Sequence, residues 1–120
     1  MVGGFFTGLR DGKVLASRTK RGRVLCPPLE YDPETGEAVE AELIEIADEG
    51  VVELATFIDE PMRKHPLHEP FSWALVKLDG ADTPLLHAAR GRVAAGDRVK
   101  ISWREERIGN ITDIECFTKL

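Results

Sequence analysis

The chain has 120 residues, 42% of them apolar and 31% charged, which suits one soluble globular core and leaves no need for a second core. No uncharged apolar run approaches the ~18 residues of a membrane span, and the apolar start, Met1 to Leu9, has its bases Arg10 and Lys13 after it, opposite to the order of a secretory signal. The expected location is the cytoplasm. The net charge of -5 is unevenly spread: residues 10–23 hold six bases against Asp11, whereas residues 24–62 hold twelve acids and no base. That acidic middle argues against a nucleic-acid face, which needs a basic surface to displace counterions.

Phe5, Phe6 and Leu9 sit at i, i+1 and i+4, which predicts one short amphipathic helix ended near Gly12. Between Lys13 and Val39, prolines 27, 28 and 33 and glycines 22 and 36 predict an extended, looped segment. From about residue 40 the apolar period is two. Ala41 to Ile46 and Val51 to Ile58 flank a predicted turn at Asp48-Glu49-Gly50. The run from Phe71 to Leu78 is apolar on both faces and predicts a central strand ending at Asp79-Gly80, followed by a shorter strand from Pro84 to Ala89. Arg98 to Trp103 alternates without fault, and after the turn at Gly109-Asn110 the run from Thr112 to Phe117 completes a hairpin. Trp73 and Trp103 both fall at positions expected to point inward. Five or six short strands with Gly and Asp turns predict a mainly β protein: a five-stranded barrel of the OB type over 40–120, closed because closure removes exposed edges. Residues 1–39, the helix and the looped segment, form its N-terminal extension.

Gly12-Lys13-Val14-Leu15, then Gly22-Arg23-Val24-Leu25-Cys26-Pro27-Pro28, then Gly96-Asp97-Arg98-Val99 on a barrel strand form a pattern. It resembles the zinc-ribbon plus OB-fold family, long catalogued as a domain of unknown function, whose members accompany thiolase-like acyl-CoA enzymes as a subunit or a fused domain. The resemblance covers nearly the whole chain, and the Gly-Arg-Val-x-x-Pro-Pro run is its most specific element. In members with zinc, a CxxCG precedes the Arg-Val run and a second CxxC follows the Pro-Pro. Alignment on Gly22 and Pro27-Pro28 places Arg18 and Arg21 at the first pair and Asp32 and Thr35 at the second. Tetrahedral zinc needs four good donors, and guanidinium groups are not ligands. The expectation is a degenerate, metal-free ribbon with no cofactor, in which an ion pair from Arg18 or Arg21 to Asp32 replaces the metal.

Other chemistry is sparse in the sequence. Cys26 and Cys116 lie far apart without a CxxC, so both are read as reduced and buried. His65-Pro66-Leu67-His68-Glu69 gathers ligand types, but Pro66 and Pro70 forbid a regular helix and the spacing is not that of a zinc protease. His87 falls in a strand and reads as packed. No phosphate loop is present. These observations predict no catalytic residues of its own.

The resemblance implies an accessory subunit, required by a thiolase-like partner that holds the catalytic residues for an acyl-CoA thioester. Relatives with a degenerate ribbon extend this to a retro-aldol carbon-carbon lyase of bacterial steroid side-chain degradation, with steroid-CoA reaching the complex. The expected partner surface is Phe5, Phe6 and Leu9. The expected acyl-CoA contact is the loop carrying Arg63, Lys64, His65 and His68, whose positive charge suits CoA phosphates. The alternative is a stand-alone OB module that binds single-stranded nucleic acid through the basic stretch at 10–23, which requires exposed aromatics on the barrel face.

Overall fold

The computed structural model describes residues 2–62 and 65–120. Helix α1 (Val2–Arg10) is followed by strands β1 (Val14–Arg18), β2 (Val24–Leu25), β3 (Ile44–Ile46), β4 (Glu49–Ile58), β5 (Phe71–Leu78), β6 (Leu85–Arg90), β7 (Arg98–Trp103) and β8 (Ile114–Lys119). The helix ends as the sequence suggests: Gly12 takes φ +73°, while the Gly12 and Lys13 amides donate back to the carbonyls of Leu9 and Gly8. This is a Schellman cap. Gly4 and Gly8, one turn apart, let α1 lie against the N-terminal sheet. A Cβ on Gly4 would fall 2.7 Å from Leu43 Cδ1, and one on Gly8 would fall 2.8 Å from Leu15 Cγ.

Strands β2, β1 and β3 form a three-stranded antiparallel sheet in that order. The other five close into a barrel in the order β4-β5-β6-β8-β7 and back to β4, with β6 and β8 parallel and every other pair antiparallel. In barrel numbering this is first, second, third, fifth, fourth, the topology of an OB fold. The fold class expected from the alternation is therefore the one observed. One apolar cluster serves both sheets: Phe5, Leu9, Val14, Ala16 and Cys26 join Val52, Val76, Leu78, Val99, Ile101 and Phe117.

Three local expectations are corrected. Asp48-Glu49-Gly50 is not a turn, because Glu49 and Gly50 begin β4. A Cβ at Gly50 would lie 2.3 Å from the Lys77 carbonyl oxygen and 2.7 Å from Leu78 Cα, so glycine serves a close backbone approach and not a reversal. The strand expected from Ala41 shortens to Ile44–Ile46 and pairs with β1, outside the barrel. Trp73 does not point inward: Ala74, Val76 and Leu78 are the β5 residues in the core cluster, so Trp73 and Leu75 take the opposite face and are partly exposed, while Phe71 on that face is fully buried against His65 and Trp73. Trp103 does pack against the core.

Candidate functional site

The N-terminal sheet carries two tight turns where a ribbon would hold its metal. In the first, the Thr19 amide donates to the Arg23 carbonyl (2.8 Å) and the Arg23 amide donates to Thr19 Oγ1 (3.0 Å), with Gly22 at φ +88°. In the second, the Asp32 amide donates to the Glu37 carbonyl (2.8 Å), and Asp32 Oδ1 accepts from the Glu34 amide (2.9 Å). Thr19 and Asp32 are both buried, so each turn is closed by its own side chain.

Arg18, Arg21 and Thr35 are exposed, whereas Asp32 is buried and engaged with backbone. The ion pair expected from Arg18 or Arg21 to Asp32 is not the one formed. Arg23 Nη1 instead meets Glu34 Oε1 at 3.0 Å and joins the two turns. Asp32 turns inward to accept an amide, which leaves Glu34 to carry charge at the surface. These residues do not fit zinc: two aligned positions are arginines pointing to solvent, and the one carboxylate is already bonded. Among the described residues no group of three or more His, Cys, Asp or Glu is placed to hold a metal ion.

The sheet is fixed to the barrel by the loop between β5 and β6. Asp82 Oδ2 accepts from the Val24 amide (2.8 Å), and the Asp82 amide donates to the Val24 carbonyl (2.8 Å). Thr83 Oγ1 accepts from the Cys26 amide (2.8 Å) and donates to the Cys26 carbonyl (3.1 Å). Four bonds thus hold β2 along residues 82–83. Sequence reading passed over this pair because Asp and Thr after a glycine look like an ordinary turn.

The predicted partner surface on α1 is corrected. Phe5 and Leu9 are buried in the chain's own core, and only Phe6 stays partly exposed. With Phe5, Pro27, Pro28 and Ile111 it lines a small apolar notch of about 170 Å³. Amphipathic spacing shows that a helix has an apolar face, but not whether that face meets the same chain or another.

Of the predicted acyl-CoA loop, Arg63 and Lys64 lie outside the described residues. His65 does not present its Nδ1 to a ligand; that atom accepts from the Met62 amide (2.9 Å), and the ring packs edge-on against Phe71 (5.3 Å) and Trp73 (6.3 Å). His68 is exposed and shares a shallow depression of about 400 Å³ with Glu69, Pro70 and Arg90. Arg90, at the end of β6, is the basic residue that sequence reading missed there; alternation on β6 places it outward, facing Phe71 across the ladder.

The remaining reactive groups are buried. Burial pushes the Cys26 thiol up to about 12, and burial also raises Cys116 against the opposing pull of Arg90. Burial lowers the pKa of His87, keeping the ring neutral, while its Nε2 donates to the Ile114 carbonyl at 2.7 Å. Asp113 is fully buried and gathers three amides, those of Ile108 on Oδ1 and of Gly109 and Asn110 on Oδ2. Burial alone would raise its pKa, but these bonds and the nearby Arg107 outweigh burial and lower it. Each of these groups has a structural task.

A short helix, a ribbon-like sheet with two closed turns and an OB-type barrel, sharing one core, define the class of protein. No protein-family model and no curated protein matches the sequence. Among solved structures, a DUF35 family protein of unknown function from Sulfolobus solfataricus is 30% identical over 82% of this chain and 72% of its own, with a TM-score of 0.68. On that similarity the chain belongs to the DUF35 family. A chain of the Ltp2-ChsH2(DUF35) aldolase shares the fold at 21% identity, over 97% of this chain and 91% of its own, with a TM-score of 0.69. The likeness expected from residues 22–28 is thus met at the level of the family. Among the described residues no helix is long and apolar enough to cross a membrane.

Proposed function

We propose that this chain is a non-catalytic accessory subunit that binds and supports a thiolase-like enzyme acting on acyl-CoA thioesters. The observation that carries the reading is the match over 97% of the chain to a chain of the Ltp2-ChsH2(DUF35) aldolase, an enzyme whose name joins two components. The histidines and cysteines add support, since most are engaged in packing or backbone bonds and none is poised as a nucleophile. The finer form of the proposal is a retro-aldol lyase acting on a steroid side chain. Its basis is the resemblance of residues 22–28 together with an aldolase as structural neighbour. We further propose that the ribbon-like segment functions without zinc.

The deciding experiment is gel filtration of the chain alone and after co-expression with a thiolase-like protein encoded in the same genome. The expected result is one hetero-oligomeric peak; separate elution at micromolar concentrations would reject the reading. For the loop, Arg63→Ala with Lys64→Ala should raise the KM of the complex for acyl-CoA at low salt and leave kcat nearly unchanged, because only uniform binding is lost. Equal KM values would remove the loop from the proposal.

A second reading has one observation in its favour. Trp73 and His65, both partly exposed, pack over the buried Phe71 on the outer side of the second barrel strand, a position from which OB folds stack nucleobases. Titration with a fluorescent oligothymidine at 50 and 200 mM salt tests it, and a strong affinity that falls steeply with salt would favour it.

A further inference from the structure

The barrel is not closed equally all round. β7 and β8 pair from Val99–Lys119 to Trp103–Ile114, and β5 and β6 from Val76–Leu85 to Phe71–Arg90, whereas β6 and β8 share a single ladder pair among the described residues, Ala89 with Phe117. Side chains of β6 supply the rest of this seam. His87 Nε2 donates to the Ile114 carbonyl at 2.7 Å, and Arg90 Nη2 reaches Cys116 Sγ at 3.7 Å. With the seam parted, β6-β5-β4-β7-β8 would remain as one continuous sheet, so opening breaks the shortest ladder and leaves the others whole.

His87 stands at this seam without a counter-ion. Leu85 and Ala89, two residues to either side, belong to the core cluster and Ala74 lies opposite, so alternation turns the imidazole to the interior, where it stands edge-on to Phe117 at 6.3 Å. The groups around it do not compensate a positive charge. β5 offers the apolar Ala74, and Arg90 on the same strand alternates outward. Arg104, just past β7, repels a cation. On the β8 side the Asp113 carboxylate is bound by three amides, Glu115 lines an outer depression with Arg104, and no carboxylate pairs with the ring among the described residues. Burial first, and then Arg104, hold the ring's pKa down against the pull of the Ile114 bond. The closed seam is therefore favoured above the open-state value of about 6.5, and it loses that advantage as pH falls from there through the lower value of the closed state.

We infer that the β6–β8 seam is a proton-operated latch: with His87 neutral the barrel is shut, and a proton on its Nδ1 drives the β7–β8 hairpin off β6 so that the ring reaches water. The two cysteines report on it, since Cys116 lies on the seam and Cys26 beside the N-terminal sheet, and both are fully buried. The test is thiol labelling of the full chain by a pyridyl disulfide, mapped by mass spectrometry. The rate at Cys116 relative to Cys26 should rise several-fold from pH 7 to pH 5, an interval in which imidazoles titrate and the Asp113 carboxylate does not. His87→Gln keeps an N–H donor for the Ile114 carbonyl and has no proton to gain, so its ratio should stay flat. A second measurement needs no variant: the His87 ring signals of the wild-type chain in NMR should titrate over the same pH interval as the labelling ratio. A ratio that does not change in the wild type, or that rises equally in His87→Gln, overturns the latch. A ring that stays neutral while the ratio rises overturns it too. Cys26 quickening in step with Cys116 overturns it in favour of acid unfolding of the whole molecule.

Discussion

The N-terminal sheet and the barrel reach order by opposite means. The barrel closes on apolar side chains, with Val52, Val76, Val99, Ile101 and Phe117 almost without exposure, and its backbone bonds complete a circuit. The N-terminal sheet has only ten strand residues in three pieces, and much of what is buried there is polar: Ser17, Thr19 and Asp32. Each of these accepts a backbone amide, at Leu29, Arg23 and Glu34 respectively. A small sheet that cannot bury enough surface needs staples, and here the staples are side-chain hydrogen bonds and the Asp82–Thr83 loop of the barrel. The barrel closes its own backbone circuit, whereas the ribbon-like sheet takes part of its rigidity from the barrel's loop.

The largest expected effect belongs to the barrel. Gly50→Val sets a side chain against the backbone of Lys77 and Leu78, neither of which can yield without opening the β4–β5 ladder. A loss of about 3 kcal/mol is expected, seen as a fall in Tm of roughly 10 °C by circular dichroism. Retention of the wild-type Tm would mean that the close approach is not a constraint.

Next comes Asp113→Ala, which strips three amides of their acceptor and should cost about 2 to 3 kcal/mol. The pH dependence has a definite sign. The folded-state pKa is lowered, so the stabilisation is fully present above the unfolded value near pH 4 and is lost as pH falls through the lower folded value. Urea denaturation between pH 7 and pH 2 should therefore show a shallower acid limb in the variant. Parallel limbs would remove Asp113 as its source.

Asp82→Ala with Thr83→Val tests the borrowed rigidity directly. A global loss of about 1 to 2 kcal/mol is expected, but the diagnostic result is local: amide exchange should quicken across 14–39 and remain slow in β5 and β7. Uniform quickening would show that the two sheets open as one unit.

Arg23→Ala removes the exposed pair with Glu34, which is screened by solvent, and should change stability by no more than about 0.5 kcal/mol. Smallest of all, EDTA should leave the Tm unchanged, and elemental analysis should find no zinc. A chelator-induced fall in Tm would reject the metal-free ribbon and place its staple on donors outside the alignment of Arg18, Arg21, Asp32 and Thr35.

The candidate sites were less legible than the fold. Loss of the zinc ligands can be read directly, since an arginine cannot be a thiolate. Which acid would meet which base across the ribbon was not legible, because that depends on whether Asp32 or Glu34 faces inward, and the answer lies in one turn's backbone bonds. Phe5 and Leu9 were identified as an apolar face, but the glycines beside them, Gly4 and Gly8, decide that the face lies on its own sheet.

Sequence alone determined the quantities that are local or periodic. These include the helix and its glycine stop, the strand from Arg98 to Trp103, the barrel class and the family likeness at residues 22–28, because alternation and turn chemistry act within a few residues. The tertiary structure decided what depends on partners far along the chain. Phe71–Leu78 reads as apolar on both faces, and sequence takes that to mean a buried central strand. In the closed barrel only one face of β5 reaches the core, so Trp73 and Leu75 come to lie outside, beside Leu54 and Leu86. Closure turns a run of apolar residues into a core on one side and an open surface on the other, and no period in the sequence distinguishes the two.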